Sequence, residues 1–171
     1  IDCQIKEYEI LVNTKLVTLL KNEGYHGLRQ ACDGGNCGGC TILLDKKPVL
    51  SCLMHAVQAE DKEILTIDGI LNYNDELKLL PECLKRAGSA QCGFCTCGFV
   101  MAVAGLYFSN RNPSTDEIIR GLSGNLCRCT GYEKIILLLQ LFFDVINERR
   151  ILEADETHND TEPFGKRTVK I

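Results

Sequence analysis

The sequence is poor in positive charge: across its 171 residues, 19 Lys and Arg face 23 Asp and Glu, a net charge of −4 at pH 7. That balance excludes a nucleic-acid binder driven by attraction to phosphate. Long apolar runs are also missing. None approaches the roughly 20 residues of a membrane span, and the greasiest stretch, residues 135–143, is interrupted by Gln140 and flanked by charges, so it reads as a core helix. No secretory leader is visible, although Ile1 is not a methionine and a preceding leader stays open. Internal repeats are absent. Histidine is scarce, and His26, His55 and His158 do not stand at ligand spacing, so packing or surface roles are expected for them.

Against these absences stand eleven cysteines and a hydrophobic fraction of 45%, enough to build a core. An odd count without a leader argues against a disulfide framework. The close spacings C-x2-C and C-x-C suit metal ligation in a reducing compartment, which makes a cytoplasmic location the expectation. Eight of the cysteines form two groups of four. Cys32, Cys37 and Cys40 lie in a loop with four glycines in nine residues, and Cys52 follows. The spacing of the first three is that of plant-type [2Fe–2S] proteins. An anionic cluster needs hydrogen-bond donors aimed at its sulfurs. Glycines at 34, 35, 38 and 39 let backbone N–H groups approach without side chains in the way. The second group is Cys92, Cys95, Cys127 and Cys129. Its spacing alone fits either a tetrahedral zinc staple or a [2Fe–2S] cluster. Thiolates on helix ends would gain from backbone N–H groups there.

The pattern along the chain predicts an α+β fold. Residues 4–12 alternate loosely and read as a strand, followed by a helix over 15–22. Residues 41–44 and 49–50 read as two strands joined by a turn at 45–48, and 63–67 as another strand, with a short helix within 51–58. The second half is helical: 79–87, 98–109, a helix opened by the capping-box spacing of Ser114 and Glu117 that ends near Gly121, and the long 133–150. About four helices in residues 75–150 make a bundle, separated from residues 1–72 by a boundary within 68–75. Residues 153–162 carry five acids and no large apolar side chain, so 151–171 reads as an acidic linker or tail.

Three segments carry a family resemblance: Cys-Asp-Gly-Gly-Asn-Cys-Gly-Gly-Cys-Thr at 32–41, Gln-Cys-Gly-Phe-Cys-Thr at 91–96, and Ser-Gly-Asn-Leu-Cys-Arg-Cys-Thr-Gly-Tyr at 123–132. Together they resemble the iron–sulfur subunit or domain of molybdenum hydroxylases, the family of xanthine dehydrogenase and aldehyde oxidoreductase. The resemblance is collinear and spans about residues 4 to 150. It implies an N-terminal plant-type ferredoxin-like (β-grasp) domain and an all-α four-helix-bundle domain, each with a [2Fe–2S] cluster. It implies that the cluster on Cys92, Cys95, Cys127 and Cys129 lies beside molybdopterin held mainly by a catalytic partner. Gln91 would then contact the pterin, with Cys129 the ligand nearest it. The first cluster would face outward and pass electrons to an FAD-binding subunit or another acceptor.

The implied activity is electron transfer for a hydroxylase that acts on a purine, another aromatic N-heterocycle, an aldehyde or carbon monoxide, with purine the first expectation. A free-standing ferredoxin-like carrier and a zinc-stabilised interaction module are the rival classes. Two departures from the family pattern stand out. Cys97 replaces a usual proline; it is not assigned to a cluster, and neither are Cys3 and Cys83. The chain also runs past the long helix into Pro163–Ile171, which resembles the start of a molybdenum-binding chain and is expected to reach that partner, as a fused continuation or as a docked strand.

Overall fold

Thr41-Ile42-Leu43-Leu44 has no polar alternation, and the computed structural model, which describes residues 1–86 and 88–154, buries all four. A strand covered on both faces reads as a continuous apolar run. This strand, β1 (Thr41–Leu44), is the centre of a three-stranded antiparallel sheet of order β2-β1-β3. β2 (Lys47–Leu50) pairs with it in the register Thr41 to Leu50 and Leu44 to Lys47. The two are joined by Asp45-Lys46, both at positive φ (50° and 65°), the geometry of the tight hairpin turn that matches strand twist. β3 (Ile64–Leu65) pairs with the other edge, Leu43 opposite Leu65.

The two faces of β1 feed different cores. Ile42 and Leu44 pack with Leu16, Leu20, Tyr25, Leu28 and Ile64, beneath helix α1 (Leu16–Asn22). Leu43 and Leu65 belong instead to the larger core made by the helices. That core is built around α4 (Thr96–Ser109), which packs against β1, β2 and α5 and is buried nearly all round, from Gly98 to Gly105 and at Tyr107. A helix apolar on every side has no solvent face to show a periodic pattern. Around it stand α2 (Ile67–Ile70), α3 (Leu79–Arg86), α5 (Thr115–Leu122) and α6 (Glu133–Ala154). The Ser114–Glu117 capping box forms as its spacing predicts: the Glu117 carboxylate accepts from the Ser114 N–H at 2.8 Å. Among the described residues no helix is long and apolar enough to cross a membrane.

Three expectations are corrected. Residues 4–12 form no strand. The edge of β3 that they would need is taken by Asp2, whose N–H donates to the Ile64 carbonyl at 2.8 Å. The Asp2 carboxylate accepts from both the N–H and the hydroxyl of Thr66, each at 2.7 Å. Ile5 is left 98% exposed. The short helix within 51–58 is a single 3-10 turn over Ala56–Ala59. The strand expected at 63–67 is two residues long, because Thr66 leaves it to cap α2 with its hydroxyl. The tail expected from 151 starts later, because α6 runs on to Ala154; the rest of the acidic stretch and Pro163–Ile171 fall at 155–171, outside the described residues.

Candidate metal centres

The glycine loop ahead of β1 holds the first group. Gly35 and Gly38 lie at positive φ (75° and 73°), the region glycine enters freely, and they let the loop curl around Cys32. The Cys32 sulfur accepts from the N–H groups of Asn36 and Cys37, each at 3.3 Å. A hydrogen bond from the Cys37 thiol and the N–H groups of Asn36, Gly34 and Cys37 lower the Cys32 thiol to about 7. Cys40, at the foot of β1, and Cys52, just past β2, are both buried and pack together with Val17. Burial pushes Cys40 up to about 11. The first group is thus two pairs, Cys32 with Cys37 and Cys40 with Cys52.

The second group lies where α4 begins and where α5 turns into α6. Cys95 is the residue that caps α4. Gly131 and Tyr132, both at positive φ, turn the chain back behind Cys127 and Cys129. The Tyr132 hydroxyl oxygen accepts from the Cys127 N–H at 2.9 Å, and the Thr130 hydroxyl donates to the Cys127 sulfur at 3.1 Å. Cys92 and Cys129 approach to 3.6 Å between sulfurs. Cys95 and Cys127 hydrogen-bond to each other. These four again divide two and two.

The electrostatics follow the pairing. The Phe94 N–H, then the Cys129 thiol, lower Cys92, while the hydrogen bond with Cys92 and its charge raise Cys129. Burial pushes Cys95 up to about 12, helped by its bond to Cys127. For Cys127, burial pulls upward but hydrogen bonds from the Thr130 hydroxyl and backbone outweigh it, and its thiol lies below the ordinary value. In each of these pairs one thiol is lowered and its partner raised. A metal ion binds thiolates, so its binding releases the protons these pairs hold.

A tetrahedral ion with metal–sulfur bonds of about 2.3 Å sets its sulfurs about 3.8 Å apart. The 3.6 Å Cys92–Cys129 separation is the edge of such a tetrahedron. Two sulfurs per iron and two irons per group is the donor arrangement of a binuclear cluster, and a closed zinc site wants all four around one point. The donor set therefore fits [2Fe–2S].

The remaining predicted residues divide. Gln91, Cys92 and Cys129 are exposed together at one end of the helical half, with Phe94 and Leu126 exposed beside them. Cys97 is drawn into neither group: its thiol donates to the carbonyls of Phe94 (3.6 Å) and Gly39 (3.7 Å). Cys83 is buried in the helical core and Cys3 is exposed. None of the eleven cysteines, all among the described residues, is in a disulfide. One residue escaped the sequence reading. Asn125, 5% exposed, places its side-chain amide on the Gly38 carbonyl and so joins the two cysteine loops. Its place inside the third motif was the only signal.

The profile of the [2Fe-2S] binding domain family matches residues 66–138. An α+β chain with this match and these paired thiols is an iron–sulfur protein. It is 40% identical over 124 residues to the nicotinate dehydrogenase small FeS subunit of Eubacterium barkeri, which covers 72% of this chain and 78% of that one. Over 142 residues it is 40% identical to the xanthine dehydrogenase iron-sulfur-binding subunit of Escherichia coli O157:H7, covering 80% and 89%. Among solved structures, quinoline 2-oxidoreductase from Pseudomonas putida 86 aligns with a TM-score of 0.71 and 36% identity over 81% of this chain and 87% of that one. The chain belongs to the small iron–sulfur subunits of the molybdenum hydroxylases, as an oxidoreductase component.

Proposed function

We propose that Cys32, Cys37, Cys40 and Cys52 hold one [2Fe–2S] cluster, that Cys92, Cys95, Cys127 and Cys129 hold a second, and that the chain carries electrons from a molybdenum centre to a flavin or another acceptor. The observation that carries this reading is the two-and-two pairing of eight thiols, with Cys92 and Cys129 at 3.6 Å. A [2Fe–2S] cluster, when bound, takes up and releases one electron at a time. The chain's own part is ligation, hydrogen bonding to sulfur and partial burial, the levers that set a cluster's potential. The N–H groups of Asn36 and Cys37 and the Thr130 hydroxyl already point at ligand sulfurs.

Residues 1–72 serve as a ferredoxin-like domain and 75–150 as a helical domain. The exposure of Gln91 and Cys129 supports placing the second cluster toward the molybdopterin of a catalytic partner, with Gln91 on the pterin. The first cluster then serves an FAD-binding subunit. The segment beyond α6, residues 155–171, is assigned to the molybdenum partner, which its deletion followed by co-purification tests. Relatives named for nicotinate, nicotine and xanthine support an aromatic N-heterocycle as the partner's substrate, a purine first. The test of the cluster assignment is electron paramagnetic resonance of the dithionite-reduced protein. Two distinct signals are expected, since one set lies in a glycine loop and the other at helix ends; a single signal would defeat it.

A further inference from the structure

We infer that Asn125 is a positioning residue that fixes the spacing between the two clusters. The inference rests on the two-cluster reading. Its side chain is almost fully buried and donates to the Gly38 carbonyl at 3.1 Å, across 87 positions of sequence. The same carbonyl accepts from the Thr41 hydroxyl at 2.7 Å and the Thr41 N–H at 3.2 Å, so it is held from both sides. One residue on, the Leu126 N–H donates to the Cys37 carbonyl at 3.0 Å. Cys37 is a ligand of the first set, and Leu126 precedes Cys127 of the second. A single hydrogen bond thus separates the backbones of the two ligand sets, and Asn125 locks it beside a second one.

The packing leaves no slack at this point. A side chain on Gly38 would collide with the Asn125 amide and the Gly124 carbonyl, and one on Gly98 of α4 would collide with the Gly38 carbonyl. Three elements meet here backbone to backbone; the Cys97 thiol reaches the Gly39 carbonyl from α4 at 3.7 Å, and the amide of Asn125 is the side-chain donor that joins the 124–131 turn to the glycine loop. Thr41 cannot do this, because it opens β1 on the same side of the gap as Gly38. Loss of the Asn125 amide leaves the Leu126–Cys37 backbone bond alone to join the 124–131 turn to the glycine loop, while each loop keeps its own ligands.

The test compares the iron-loaded protein with Asn125→Ala, Thr41→Val and Gly98→Ala. Asn125→Ala should retain the full iron and acid-labile sulfide and lose the spin–spin splitting between the two reduced centres, which depends steeply on their separation. Hydrogen exchange over residues 124–131 should quicken about tenfold, the equilibrium worth of one buried hydrogen bond. Thr41→Val should keep the splitting. Gly98→Ala, which intrudes on the same contact from α4, should lose it, and it decides the matter if Asn125→Ala does not fold. Wild-type splitting in a fully loaded Asn125→Ala protein overturns the inference, and so does loss of iron from that variant, because Asn125 would then build a site and not space two. Absence of iron from the unsubstituted protein would bring down the two-cluster reading itself and this inference with it.

Discussion

Cys92 and Cys129, 37 positions apart in sequence, bring their sulfurs to 3.6 Å, while their neighbours Cys95 and Cys127 bond to each other. The pairing crosses the C-x2-C and C-x-C motifs: each takes one sulfur from the start of α4 and one from the turn before α6. Removing a single cysteine therefore leaves one iron a thiolate short while the other pair stands, and the binuclear cluster is lost with that ligand.

Cys95→Ser should accordingly lose the second cluster and keep the first, reading as half the iron of the unsubstituted protein. Cys97→Ser should keep both, because the Cys97 thiol donates to two carbonyls and pairs with no other sulfur among the described residues. Loss of iron in the Cys97 variant would show that the ligand set has been misassigned.

In iron-free protein the thiols should differ sharply in reactivity. Cys32 lies at about 7 and Cys40 at about 11. A thiol is nucleophilic only as thiolate, so at pH 7 about half of Cys32 is reactive and almost none of Cys40. Alkylation at Cys32 should rise between about pH 6 and 8 and then level off, while Cys40 stays inert throughout that range. Equal rates at the two positions would contradict the hydrogen-bonding pattern of the glycine loop.

Gln91→Ala should retain both clusters and slow their reduction by substrate in the complete complex. Gln91 is exposed beside Cys92, away from the core, so its loss should leave the thermal transition unchanged. Substrate-driven reduction at the wild-type rate would remove Gln91 from the pterin side.

Leu43→Ala should cost about 2–5 kcal/mol, on the order of 10 °C in Tm, because Leu43 is fully buried between the sheet and the helical core. Ile5→Ala should change stability by less than about 0.5 kcal/mol, since Ile5 is almost wholly exposed. A large loss at Ile5 would mean that residues 4–12 pair as a strand after all.

What was legible in the sequence was local. The glycines of the first loop and the Ser114–Glu117 box each depend on residues a few positions apart and are found where their spacing puts them, while the turn expected at 45–48 is the tighter Asp45-Lys46, with Lys47 and Pro48 already in β2. The helices α3 to α6 of the second half were legible for the same reason, although α4 shows no amphipathic pattern because it is covered on all sides. What could not be read depends on distant partners. Residues 4–12 have the composition of a strand, but Asp2 occupies the edge of β3. The contact of Asn125 with Gly38 joins two motifs that the sequence presents as independent.

The most direct test of the central claim is the metal and sulfide content of the purified chain. Two [2Fe–2S] clusters predict about four iron and about four acid-labile sulfide per chain, with Cys95→Ser falling to about half of each. One or two zinc ions per chain without sulfide would contradict the account.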